Sequence, residues 1–122
     1  MKDKSLKNKN FIDAWKKAFG GICYCVKTQK NLKIQLIITI IVIICGIYFN
    51  VNTIEWMFLT FSIMFVLVTE VVNTAIEEVV NLCTDKFHPL AKLAKDVAAG
   101  AVVLTALNSI IIAIFVFGSK II

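Results

Sequence analysis

Glu70, Asn73, Thr74, Glu77 and Asn81 recur at steps of one, three and four residues in the stretch TEVVNTAIEEVVN, Thr69 to Asn81. On a helix they share a stripe about 100° wide, with Glu77 about 20° and Asn73 about 60° from Glu70 and Glu78 at the margin near 80°. Carboxylates and amides aligned this way can take a proton from a hydroxyl or hold a hard cation. The alignment follows a run, Trp56 to Val68, that carries no charge. An acid at the centre of a membrane span costs up to about 2.5–3.5 kcal/mol, and each Leu, Ile, Phe or Val returns only about 0.3–0.6 kcal/mol. Glu70 lies deepest and is disfavoured most; Glu77 and Asn81 lie nearer the polar end. An acid kept in such a place points to function. The arrangement suits a hydroxyl-deprotonating base at Glu70 and a metal–phosphate ligand nearer the water. For Asn73 or Thr74 alone, polar contact between helices is an equal reading.

A basic counterpart follows in FHPLAKLAKDVAAGAVV, Phe87 to Val103. Lys95 can meet a phosphate as a point charge. Lys92 reads as a solvated or headgroup-facing charge, and Asp96 sits at the mouth of the next apolar run. His88 could cap a helix, coordinate a metal or contact a nucleotide. Ala98, Ala99, Gly100 and Ala101 predict a closely packed helix face. The chain has no Gly-rich phosphate loop, no protein-kinase motif and no serine nucleophile elbow, so phosphate chemistry needs another scaffold. Cys23, Cys25, Cys45 and Cys83 lack zinc spacing and read as small buried or interfacial side chains.

The elements that must position these residues follow from composition. Of 122 residues, 59% are hydrophobic, more than a soluble domain carries. The fold class is an all-α membrane protein in one domain. Residues 1–9 are lysine-rich and expected to be disordered. From about residue 10 to 27 an apolar stripe of Phe11, Trp15, Phe19 and Ile22 opposes lysines, which predicts an amphipathic helix on the membrane surface, bent or broken at Gly20–Gly21. Spans are expected at 34–49, 56–80 and 97–117, with Trp56 as an interface anchor and Pro89 at a turn or helix start. No cleavable leader is visible. Nine of the thirteen lysines lie between Lys2 and Lys33 and none in the first loop. The N-terminus and the second loop are therefore expected in the cytoplasm. Three spans of one small chain enclose little volume, so a homo-oligomer with a site shared between protomers is expected, and no nucleic-acid partner.

The motifs E-V-V-N-T-A-I-E (Glu70–Glu77) and H-P-L-A-K-L-A-K-D-V-A-A-G-A (His88–Ala101) strongly resemble the prokaryotic diacylglycerol kinase and undecaprenol kinase family. The match covers nearly the whole chain, and its wording is closer to the Gram-positive undecaprenol kinase branch. The resemblance implies an ATP-dependent lipid kinase of the bacterial cell membrane, a homotrimer with sites between protomers. It implies Glu70 as general base on the lipid hydroxyl, Asn73 in the same site and Glu77 as ligand to the Mg²⁺ that accompanies ATP. It further implies Lys95 and Asp96 on the nucleotide, Lys86, Phe87 and His88 along it, Lys17 at another nucleotide position, and Ala99 on the lipid side. Asn10 and Lys17 stand where enterobacterial members have Arg and Tyr, and two further departures matter more. Gln29 stands where a second metal-binding acid is found, and Asn81 replaces an Asp. Each keeps an oxygen acceptor but loses the charge, which predicts weakened metal binding or an attenuated enzyme. Diacylglycerol as acceptor, a degenerate non-catalytic member, and a small channel with the acidic stripe lining its pore are the alternatives.

Overall fold

A computed structural model describes residues 4–122, with side chains from Asn10 onward. Four helices follow in order: α1 Lys4–Thr28, α2 Lys30–Tyr48, α3 Thr53–Cys83 and α4 Pro89–Ile121. Of the disorder expected for residues 1–9, the part at 1–3 lies outside the described residues, and from Lys4 the backbone is helical. Lysine is a good helix former, and no Gly or Pro interrupts the first two turns.

The break expected at Gly20–Gly21 does not occur there. Both glycines are helical, with open space where a Cβ would stand. Each costs about 1 kcal/mol relative to Ala, which the surrounding helix absorbs. The chain bends instead at Gln29, whose backbone is extended at φ −103° and ψ 114°. Cys25 and Leu32 are buried on either side of that bend, so packing of α1 against its neighbours fixes the break. Of the other cysteines, Cys45 is half-buried and Cys23 and Cys83 are exposed, and all four are free thiols. Phe11, Trp15, Phe19 and Ile22 remain exposed along α1, with Trp15 and Phe19 stacked at 5.9 Å between ring centroids.

α2, α3 and α4 are each long and apolar enough to cross a membrane. With 31 and 33 residues, α3 and α4 reach about 45–50 Å, beyond a hydrocarbon core of about 30 Å, so their ends project into the headgroup layers. α3 and α4 pack along much of their length, and α2 lies against α3.

The end away from the lysine-bearing loop is tightly closed. α2 stops in a Schellman turn: Val51 N–H donates to Gly46 O at 3.1 Å and Asn50 N–H to Ile47 O at 3.2 Å. Asn50 supplies the left-handed residue, φ 57°, a conformation Asn tolerates better than most side chains. The turn buries Val51 with Leu59 and Val116, flanked by Phe49, Trp56 and Phe117. A Cβ on Gly46 would collide with the Trp56 ring, so glycine is required for this contact. α3 begins in a reciprocal capping box. Glu55 N–H donates to Asn52 Oδ1 at 2.8 Å, and Asn52 N–H to Glu55 Oε1 at 2.9 Å.

Lys120 Nζ at the end of α4 lies 3.1 Å from the same Glu55 oxygen. Glu55 belongs to the polar connector before the apolar run. The Asn52 N–H first, and then Lys120, hold its carboxyl below the ordinary carboxylate range, against a smaller opposing effect of burial. A lowered folded-state pKa means that the ionised form stabilises the fold. That contribution is complete above the unfolded value near 4.5 and is lost as pH falls through the folded value. Thermal unfolding followed by circular dichroism is expected to shift down on acidification below about pH 4.5, and Glu55→Gln should flatten that response. Equal acid sensitivity in the variant would assign the effect to other carboxylates.

Candidate active site

The buried residues of α3 are Leu59, Ser62, Val66, Glu70 and Thr74, a single stripe at helical spacing in which Glu70 is the one charged residue. Glu70 therefore shares the face that packs on the rest of the protein. It is only 4% exposed, and among the described residues its carboxylate has neither an ion-pair partner nor a hydrogen-bond donor. Thr74 fills the next turn and returns its hydroxyl to Glu70 O at 2.9 Å. Just before Glu70, the Thr69 and Thr105 hydroxyls meet at 3.0 Å and tie α3 to α4. With Trp56 at one interface, Glu70 lies about 21 Å along the helix axis, Glu77 about 31 Å and Asn81 about 37 Å. That puts Glu70 some 9 Å inside the opposite hydrocarbon boundary, Glu77 at it and Asn81 among the headgroups.

Glu77 follows two turns after Glu70. Asn73 Nδ2 donates to Glu77 Oε1 at 3.1 Å, while the buried Asn73 Oδ1 has no partner among the described residues. A carboxylate oriented by an amide, with a second, unpartnered oxygen beside it, fits a hard divalent cation. Mg²⁺ commonly takes only one or two protein carboxylates and fills its remaining positions with phosphate oxygens and water. No three His, Cys, Asp or Glu side chains converge among the described residues, so these groups would need the phosphates, or another protomer, to complete the shell.

Beyond Glu77 the C-terminal end of α3, the N-terminal end of α4 and the loop between them enclose an open cleft of about 680 Å³. Its walls bring together Asn81, Lys86, Phe87, His88, Lys95 and Asp96, all singled out in the sequence, and add Thr84 and Asp85. Lys95 Nζ donates to Asn81 Oδ1 at 2.7 Å. Asn81 was singled out for an acid lost from a charged site; its oxygen is engaged by a lysine. Lys92 pairs with Asp96 at 2.7 Å, one turn apart and both exposed.

His88 resolves to the capping alternative: its Nδ1 accepts from Leu90 N–H at 3.1 Å, and Pro89 takes the first helical position, where its missing N–H costs nothing. The loop is further shaped by Thr84, whose hydroxyl accepts from Lys86 N–H at 3.2 Å. Lys17 and Gln29 lie on α1 and at the α1–α2 bend, outside the cleft lining. The Gln29 side chain does not cap α2. The close packing expected at Ala98–Ala101 holds within the chain only for Ala98, 7% exposed; Ala99 is exposed and Gly100 faces open space. α4 meets its neighbours through Ala98, Thr105 and Val116, which turns the other small residues outward.

A family model described as prokaryotic diacylglycerol kinase matches residues 16–117. An undecaprenol kinase of Bacillus subtilis is 41% identical over 110 residues, covering 90% of this chain and 89% of that protein. A diacylglycerol kinase of Synechocystis is 35% identical over 104 residues, covering 84% of this chain and 59% of that protein. A diacylglycerol kinase of Helicobacter pylori is 30% identical over 94 residues, covering 71% and 73%.

Proposed function

This chain belongs to the prokaryotic diacylglycerol kinase family and is a membrane lipid kinase, and from that premise we propose that it phosphorylates undecaprenol. The observation that carries the chemistry is Glu70, a buried carboxylate with no counter-ion among the described residues, on a protein-facing stripe that leads to the lysine-bearing cleft. The acceptor is favoured by the likeness to an undecaprenol kinase along nearly the whole of both chains.

ATP is the phosphate donor of a kinase. In the proposed reaction the Glu70 carboxylate takes the proton of the lipid hydroxyl. The hydroxyl oxygen bonds to the γ-phosphorus as the bond from that phosphorus to the β–γ bridging oxygen breaks, and ADP leaves. Asn73 orients Glu77, and Lys95 places positive charge against the phosphates. Most of the catalysis is positioning and charge stabilisation, as in phosphoryl transfer generally. A magnesium ion held by Glu77, with Asn73 Oδ1 and the phosphates, would neutralise charge on the terminal phosphate groups.

A homotrimer with shared sites supplies what one protomer lacks: a second wall for an open cleft and further oxygen ligands beside Glu77, with Gln29, Lys17 and Ala99 placed at that boundary. The lysine distribution supports a cytoplasmic N-terminus and second loop, which puts the cleft on the ATP side of the membrane. The helix α1, with its exposed aromatic stripe, suits the membrane surface on that side.

Vesicles holding equal amounts of undecaprenol and a diacylglycerol, given γ-labelled ATP, separate the two acceptors. Label mainly in undecaprenyl phosphate is expected. Label confined to phosphatidic acid would overturn the undecaprenol assignment while leaving the kinase chemistry intact.

A further inference from the structure

Two lysines reach the cleft from α4, about one turn apart, and they differ in what holds them. Lys92 is matched by a carboxylate, Asp96, at 2.7 Å. Lys95 is held at the same distance by the amide oxygen of Asn81, across the loop between α3 and α4. An amide oxygen accepts a hydrogen bond without cancelling the donor's charge. The charged residues lining the cleft are Lys86, Lys92 and Lys95 against Asp85 and Asp96. Three cations against two anions leave one positive charge. Lys86 has no ion pair among the described residues, and Lys95 is the one of the three that a neutral partner holds in place. A free lysine loses side-chain entropy when it is fixed. A lysine already tied to Asn81 has given up part of that freedom before any ligand arrives.

We propose that Asn81 is a positioning residue that holds Lys95 by a neutral acceptor, so that the cleft keeps one uncompensated cation in place for a nucleotide polyphosphate. The inference rests on the lipid-kinase reading of the cleft and deepens it. It reverses the meaning of the missing acid: a carboxylate at 81 would tie Lys95 in an ion pair and bring the charge of the cleft wall to zero. The amide strengthens the hold on the nucleotide rather than weakening a hold on metal.

The test is ADP binding to the full-length protein in vesicles, in the parent, Asn81→Asp, Asn81→Ala, Lys95→Met and the Asn81→Asp/Lys95→Met double variant. Asn81→Asp should weaken ADP binding roughly three- to tenfold at low salt, and less at high salt, where exposed charges are screened. Asn81→Ala keeps the lysine's charge and loses only its tether, so the loss should be smaller, about twofold. In the Lys95→Met background the Asn81→Asp effect should shrink, a coupling that a merely structural role would not produce. In turnover the Asn81→Asp change should fall on the KM for ATP more than on kcat. Unchanged or tighter ADP binding in Asn81→Asp, or the same loss with and without Lys95, would overturn the proposal. If these results accompany normal lipid phosphorylation by the parent, the kinase reading survives alone; a parent that neither binds ADP nor transfers phosphate overturns both.

Discussion

Glu70→Gln is expected to lower lipid phosphorylation by about two to four orders of magnitude, the range spanned by a positioned general base, while the helices hold at least as well as before. Both halves follow from the same burial. Glu70 is 4% exposed and has no cation beside it among the described residues, so none of them stabilises an ionised carboxylate there. Gln keeps the shape and removes the charge, and removing an unpaired buried charge does not cost stability. A structural carboxylate would behave in the opposite way: its loss would lower the unfolding temperature and leave turnover near the parent's. Initial transfer rates and thermal unfolding on the same preparations separate the two. Activity within tenfold of the parent would remove Glu70 from the reacting atoms.

Glu77→Gln is expected to cost about 100-fold in activity at low Mg²⁺, with part of the loss recovered as Mg²⁺ is raised. The opposite change at the α1–α2 bend, Gln29→Glu, is expected to lower the Mg²⁺ concentration for half-maximal activity by about tenfold. Glu77 is the one carboxylate on the stripe at the level of the hydrocarbon boundary, and Asn73 already orients it at 3.1 Å. Gln29 offers only an amide oxygen, and its side chain has no capping duty to lose. Activity plotted against free Mg²⁺ for the parent and both variants reads these shifts. A Glu77→Gln curve that falls at all Mg²⁺ concentrations without moving its midpoint would place Glu77 outside the metal's reach. An unchanged midpoint in Gln29→Glu would detach that residue from the metal.

The acidic stripe was legible in the sequence because helical periodicity alone groups Glu70, Thr74 and Glu77, and insertion cost alone says that such a group is not idle. The direction in which the stripe faces was not legible. It follows from Leu59, Ser62 and Val66, which continue the stripe into the packed interior. Pro89 marked the start of α4 correctly, since its ring fixes φ and its lost N–H matters least there.

Contacts between residues distant in sequence stayed hidden. Asn81 with Lys95 and Glu55 with Lys120 join opposite ends of α3 to α4, and neither pairing has a local signature. Asn52 and Glu55 do carry one, the capping-box spacing, which can be read without a structure. The expected break at Gly20–Gly21 shows the limit of propensity. A cost of about 1 kcal/mol per glycine is small beside the packing that moves the bend to Gln29.

A carboxylate held inside the bilayer is proposed to activate a lipid alcohol toward ATP. The most direct measurement gives γ-labelled ATP to vesicles containing undecaprenol and either the parent or the Glu70→Gln protein, with ADP binding recorded on both. Lipid-soluble label is expected to grow with time for the parent and to stay at vesicle background for the variant, with equal ADP binding. Label at background for the parent despite normal ADP binding, or equal label for the two proteins, would contradict that role.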